Sequence, residues 1–144
     1  MCPDRLVTMA NPARTKTVIA ILYGLPFIWV GVQHFVRPEA FVAIVPSYLG
    51  WPEFWVHITG WTEVALGIGV MIPKLRRQAC TLMIIQLCLL YLANLYMWTD
   101  DIAFDGFRFG TWGHIFRLVA QGLLIAAAVW LRKDSGEQAS ALNN

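Results

Sequence analysis

The sequence predicts an all-α fold: a four-transmembrane-helix bundle with a short interfacial helix after the first span. Three observations predict it. Apolar stretches over residues 17–35, 55–72, 78–98 and 114–131 fill most of the 144 positions, and each is close to the ~20 residues that carry a helix across a ~30 Å hydrocarbon core. Hydrophobic residues make up 58% of the chain and charged residues only 14%, whereas a soluble domain carries about 25% charged residues. Finally, the basic residues alternate from one connection to the next as the positive-inside rule requires.

That alternation sets the expected topology. Arg5, Arg14 and Lys16 precede the first span, Lys74, Arg76 and Arg77 lie between the second and third, and Arg132 and Lys133 follow the fourth. The other two connections hold only Arg37 and Arg108, against Glu39, Glu53, Asp100, Asp101 and Asp105. Eight basic residues against two place both termini in the cytoplasm. The expected organisation is a cytoplasmic segment over 1–16, one membrane bundle over 17–131 and a cytoplasmic tail over 132–144, with no soluble catalytic domain. The net charge of +2 is spread over juxtamembrane flanks rather than a patch, which excludes a nucleic-acid partner.

Taken in order, the first span exceeds the ~7–15 residues of a signal-peptide core and lacks a small-x-small cleavage site before Gln33-His34, so it reads as a retained anchor. Met9 is an alternative start to Met1. Pro26 is expected to kink this span near its middle. Gly24 and Gly31 fall on one face of it, and Gly60 and Gly67 do the same on the second span. In lipid, close approach at small residues is a main source of helix packing, and both stripes are assigned to packing. The first connection carries Pro38, suited to a helix start, then Phe41, Val42, Ile44 and Val45 before Pro46. Tyr48, Trp51 and Trp55 follow, aromatics of the kind found at the membrane boundary. A short interfacial helix over the outer mouth is the expectation. The second connection is a tight turn, and the third is acidic and aromatic, with Gly106, Gly110 and Gly113 supplying turn freedom. Cys80 and Cys88 lie about 12 Å apart along one helix at ~1.5 Å per residue, beyond the ~7 Å reach of a disulfide, and no CxxC pair is present.

Polar residues inside the spans point to a site, because an ionisable group in lipid normally faces a bundle interior and carries function. They are His34, His57, Glu63, Asn94, His114, Arg117 and Gln121. With cytoplasmic termini, His57 lies about 6 Å and Glu63 about 15 Å from the outer end of span two. Asn94, Arg117 and Gln121 lie one to two turns inside the outer ends of spans three and four. The cytoplasmic halves hold little comparable: residues 18–30, 64–72 and 122–131 contain no acidic, basic or histidine residue, so the site is expected to open outward. His114, Arg117 and Gln121 fall within about 60° on one helix face, and Glu63 shares the glycine face of span two. Glu63 and Arg117 are the one fully intramembrane acid–base pair and are expected to pair, which lowers the cost of burying either. The three histidines sit on three helices without HxxxH or HxxH spacing, so no metal site is expected.

These residues resemble a known family. His34-Phe35 with Pro38, Phe41 and Pro46, Gly60-x-x-Glu63-x-x-x-Gly67, Asn94-x-Tyr96-Met97 and Arg117-x-x-x-Gln121 are similar, in order, to the pattern of small DoxX-like membrane proteins. The resemblance runs from about Tyr23 to Trp130. It implies a four-span bundle in a bacterial cytoplasmic (inner) membrane. The family is named for a subunit of a terminal quinol oxidase, other members accompany membrane oxidoreductases, and a distant animal branch includes a chaperone for acetylcholine receptors. This chain lacks heme-ligating patterns and redox cysteine pairs, so it has no redox group of its own to offer.

Two readings of the polar cluster follow. In the first, the protein is an accessory to an oxidoreductase partner, and His34, His57, Glu63, Asn94, Arg117 and Gln121 line a pocket for a lipid-soluble, quinone-like ligand, with no resident cofactor. Arg117, Gln121 and Asn94 supply hydrogen bonds, Glu63 a proton or counter-charge, His34 or His57 a titrating group, and Trp61, Tyr91 and Tyr96 aromatic walls. In the second, the protein is an assembly factor or structural subunit whose polar core locks helix register. Transport is disfavoured, because no charged path continues through the cytoplasmic half. Oligomeric state stays open.

Overall fold

The computed structural model describes residues 12–133. Five helices account for most of them: α1 (Pro12–Val36), α2 (Pro38–Val42), α3 (Pro52–Met71), α4 (Arg76–Thr99) and α5 (Thr111–Arg132), with a single 3-10 turn at Ser47–Leu49. No β-strand occurs among the described residues. By length and composition α1, α4 and α5 are each able to cross a membrane, which marks the chain as a membrane protein. The 20-residue α3 is not among these three; His57 and Glu63 interrupt its apolar run. Arg5 and most of the 1–16 and 132–144 segments lie outside the described residues.

Proline marks three of the helix starts. Pro12, Pro38 and Pro52 each open a helix, where the missing N–H would have no partner anyway. Pro26 sits inside α1, yet the helix continues through it to Val36. The end of α3 is closed by a side chain from the next helix: Arg76 Nε donates to the Val70 carbonyl at 2.9 Å, and Nη2 to the Met71 carbonyl at 3.4 Å. A cation at a helix C-terminus satisfies carbonyls that have no intrahelical donor.

The four long helices form a chain of neighbours. α1 packs most extensively on α3, α3 on α4, and α4 on α5. The circuit closes between α5 and α1 only near the Lys16 end, where Tyr23 Oη donates to the Leu124 carbonyl at 3.1 Å, Lys16 Nζ donates to the Lys133 carbonyl and stands 5.7 Å from the Trp130 ring. A core of Ala20, Tyr23, Phe27, Val70, Cys80, Met83, Leu87, Ala128 and Leu131 fills that half. Cys80 is buried and Cys88 exposed, both as free thiols.

The tightest seam is the glycine one. A Cβ built on Gly24 would lie 2.5 Å from the Gly67 carbonyl oxygen, and one on Gly31 would lie 2.8 Å from the Gly60 carbonyl oxygen. The two stripes expected from the sequence therefore face each other, and hydrogen at these positions lets the backbones touch. The seam also sets α1 in register: the missing Cβ of Gly60 leaves room for His34, whose own Cβ would sit 2.7 Å away.

The connections fold over the His34 end. The short helix α2 lies against α3 and α1. Beyond α4, Phe104 and Phe107 exchange two backbone hydrogen bonds of 2.9 Å around Asp105 and Gly106, both with positive φ, 52° and 81°. Asp-Gly with two positive φ angles is the signature of a type I′ hairpin turn. Arg37 Nη2 and Asp105 Oδ1 form an ion pair that ties the first connection to this hairpin.

Candidate functional site

The Lys16 half of the bundle is filled by side chains; the His34 half encloses a cavity of about 580 Å³. α1 contributes Trp29, Gln33 and His34, α3 contributes Glu63, α4 contributes Ala93, Asn94 and Met97, and α5 contributes Arg117. Phe41 of α2, with Phe104 and Asp105 of the hairpin, roofs it. Four of the six predicted ligand-binding residues, His34, Glu63, Asn94 and Arg117, thus meet around one space, although they come from four helices.

Their surroundings differ. His34 is buried, stacks on Phe41 with ring centroids 3.7 Å apart, and places Nδ1 2.9 Å from the Val30 carbonyl. A carbonyl only accepts, so Nδ1 carries the hydrogen and Nε2 is the basic nitrogen. Glu63 Oε2 stands 3.3 Å from that same Nδ1, but the hydrogen is already given to Val30, and Oε2 has no hydrogen-bond donor. That oxygen is an unsatisfied acceptor, itself buried, on a residue that lines the cavity. Asn94 is half-buried, and its side-chain amide makes no hydrogen bond to another described residue.

The expected Glu63–Arg117 pair does not form. Arg117 Nη1 donates to the Met97 sulfur at 3.3 Å, and the guanidinium lies 4.2 Å from the Phe109 ring centroid and 5.8 Å from that of Phe104. The reason lies in packing order: the glycine face that carries Glu63 seats on α1, toward His34, while α5 packs on α4 and leaves the cavity between the two charges. Aromatic faces and a soft sulfur take the place of the carboxylate around Arg117.

Two predicted residues stay outside the cavity. His57 is exposed, with Nδ1 2.6 Å from the Glu53 carbonyl one turn back and its ring against Phe35. Six residues before Glu63, it falls some 240° around the helix at ~100° per residue, which the same angular arithmetic detects. Gln121, one turn beyond Arg117, donates to the Leu87 carbonyl of α4 and locks α5 to it. His114 is buried and stacked on Trp98 at 5.5 Å. The aromatic walls also differ from expectation: Trp29, Phe41 and Phe104 supply them, while Trp61 is exposed against Phe35 and Tyr91 and Tyr96 do not line the cavity. Of the roof, the short helix that carries Phe41 was expected over the mouth, while the hairpin with Phe104 and Asp105 was missed, although the Asp105-Gly106 turn signal was there to find it. Among the described residues no group of three or more His, Cys, Asp or Glu side chains is placed to hold a metal ion.

No curated protein and no solved structure matches the chain. The family described as a domain of unknown function, DUF8561, matches residues 23–132, a stretch that contains every residue of the cavity and the glycine seam. The chain belongs to that family.

Proposed function

We propose that the protein is a four-span accessory membrane protein that holds a lipid-soluble, quinone-like molecule in the His34–Glu63–Asn94–Arg117 cavity. α3 is the fourth span, α2 lies in the interface, and both termini face the cytoplasm of a bacterial cell, so the cavity opens outward. The resemblance to DoxX-like proteins supports an oxidoreductase as the partner that uses the ligand. One observation carries the reading: Glu63 and Arg117 line a common cavity without neutralising each other. A quinone-like head, with oxygens that accept from Arg117 and Asn94 and a hydroxyl to give to Glu63 in its reduced form, suits both at once.

Native mass spectrometry of gently extracted protein tests it. A stoichiometric small molecule that is absent from the Arg117→Met variant is the expected result; an empty cavity in protein purified from its own membranes would sink the reading. A second reading, a polar core that only fixes register, has Gln121 and Gln86 in its favour, since each donates across a helix interface, to the Leu87 and Thr59 carbonyls. It leaves Asn94 and the Glu63 oxygen without a role.

The topology is tested separately. Reporter fusions after Lys74 and after Asp105 are expected to signal from opposite sides of the membrane, cytoplasmic and external respectively. The same signal from both would remove the four-span arrangement.

A further inference from the structure

A second cavity, apolar and about 540 Å³ in volume, adjoins the first between α3 and α4. Ile58 and Ala65 of α3 and Leu82, Ile85 and Leu89 of α4 form its walls, and all five are exposed, the side that meets acyl chains in a bilayer. The two cavities are adjacent: His34, Phe41, Ile44, Leu90 and Ala93 line both, so only these side chains stand between them. Four polar residues, His34, Thr59, Thr62 and Gln86, interrupt its lining, and Gln86 is the one with an unsatisfied side-chain atom. Gln86 is buried and gives Nε2 to the Thr59 carbonyl at 3.2 Å, while its Oε1, also buried, receives no donor. A buried acceptor without a donor is costly, and a hydroxyl in the adjoining space satisfies it once the Gln86 amide turns toward that space.

We infer that the two cavities form one site for a single-chain amphiphile, taken up sideways from the membrane between α3 and α4. Its hydroxyl-bearing head lies at the junction by His34 and Phe41, with Glu63, Asn94 and Arg117 on one side and Gln86 on the other. Its hydrocarbon chain lies along the α3–α4 groove. This rests on the pocket reading above and adds the chain, its path and the hydroxyl to it. The shared wall selects this occupant, with the His34 and Phe41 side chains parting to join the two spaces: a chain alone leaves the polar half empty, and a head alone leaves the apolar half empty.

The probes are a decyl-substituted benzohydroquinone and the same ring without the chain, both held reduced by ascorbate, titrated calorimetrically into purified protein. The decyl probe is expected to bind at least tenfold more tightly. Ala65→Trp fills the groove from α3 and Leu89→Trp from α4, and each is expected to bring the ratio of the two affinities close to one in protein that melts normally. Gln86→Leu is expected to weaken the reduced decyl probe several-fold more than its oxidised form. A ratio that both tryptophan variants leave unchanged would place the chain elsewhere and overturn the inference, while loss of binding in Arg117→Met would still uphold the pocket. Equal weakening of the two redox forms by Gln86→Leu would remove the hydroxyl contact. If neither probe binds the unaltered protein, the pocket reading fails and this inference falls with it.

Discussion

Gly24→Leu is expected to unseat α1 from α3 and to cost about 3 kcal/mol or more of stability, at the upper end of what overpacking produces. The first atom of any side chain there would lie 2.5 Å from the Gly67 carbonyl oxygen and 2.9 Å from Met71 Cγ. The Met71 side chain can turn away; the carbonyl oxygen belongs to the backbone of α3 and cannot retreat unless the helices part. Gly67→Ile meets the same obstacle from the other side, because a Cβ there would stand 2.9 Å from the Gly24 carbonyl oxygen and 2.8 Å from Ile28 Cγ1. Gly122→Leu on α5 serves as the control, since nothing lies within 4 Å of its added Cβ. Thermal unfolding of the three variants in detergent checks the expectation. Helix propensity favours leucine over glycine at both sites, so comparable losses at Gly24 and Gly122 would show that close approach to α3 does not govern Gly24. The consequence reaches the cavity, because the seam that brings Gly31 to Gly60 also brings His34 beside Glu63.

The helices and their main seam were legible because they rest on local rules. Hydropathy located the four long helices to within a few residues, Pro38 marked where α2 begins, and two glycine pairs at heptad spacing identified the faces that meet. The site was legible only in part. Depth in the membrane can be counted along a helix, and it placed His34, Glu63, Asn94 and Arg117 at one end. Neighbour order cannot be counted in that way. Nothing in one sequence says that α3 seats on α1 and α5 on α4, so pairing Glu63 with Arg117 by elimination of other charges gave the wrong partner. Elimination also overlooked that a guanidinium is well placed against Phe109 and a methionine sulfur. His57 shows a different failure: its depth was suitable, but its angle puts it on the exposed face. The roof depends on a turn, on an ion pair between Arg37 and Asp105, and on Phe41 and Phe104, contacts between connections far apart in the chain that no periodicity reports.

Arg117→Met and Glu63→Gln are expected to act independently on folding and together on ligand retention. Removing one member of a directly paired, buried ion pair strands the other, typically at ~3–5 kcal/mol, and the double change is then milder than the sum. Here the cavity separates the two groups, so neither loss strands the other. The two changes should add in an unfolding cycle to within about 0.5 kcal/mol. Retention is different. Each change removes a hydrogen bond to a charged or ionisable group, worth ~1.5–3 kcal/mol, and each is expected to weaken the bound molecule about 10–100-fold. Asn94→Ala should follow the same pattern, with folding little affected, because its amide holds no other described residue. Gln121→Leu should show the opposite one: it removes the hydrogen bond to the Leu87 carbonyl, which keeps its intrahelical donor, lowers stability by ~0.5–1.5 kcal/mol and reduces retention only as far as folded protein is lost. The measurement is an unfolding cycle for Glu63 and Arg117 beside ligand occupancy for all four variants. A coupling of several kcal/mol would mean that the carboxylate and guanidinium are paired in the membrane. A cavity closed by such a pair would have no open charge with which to hold a ligand, and the polar cluster would then be a lock on helix register.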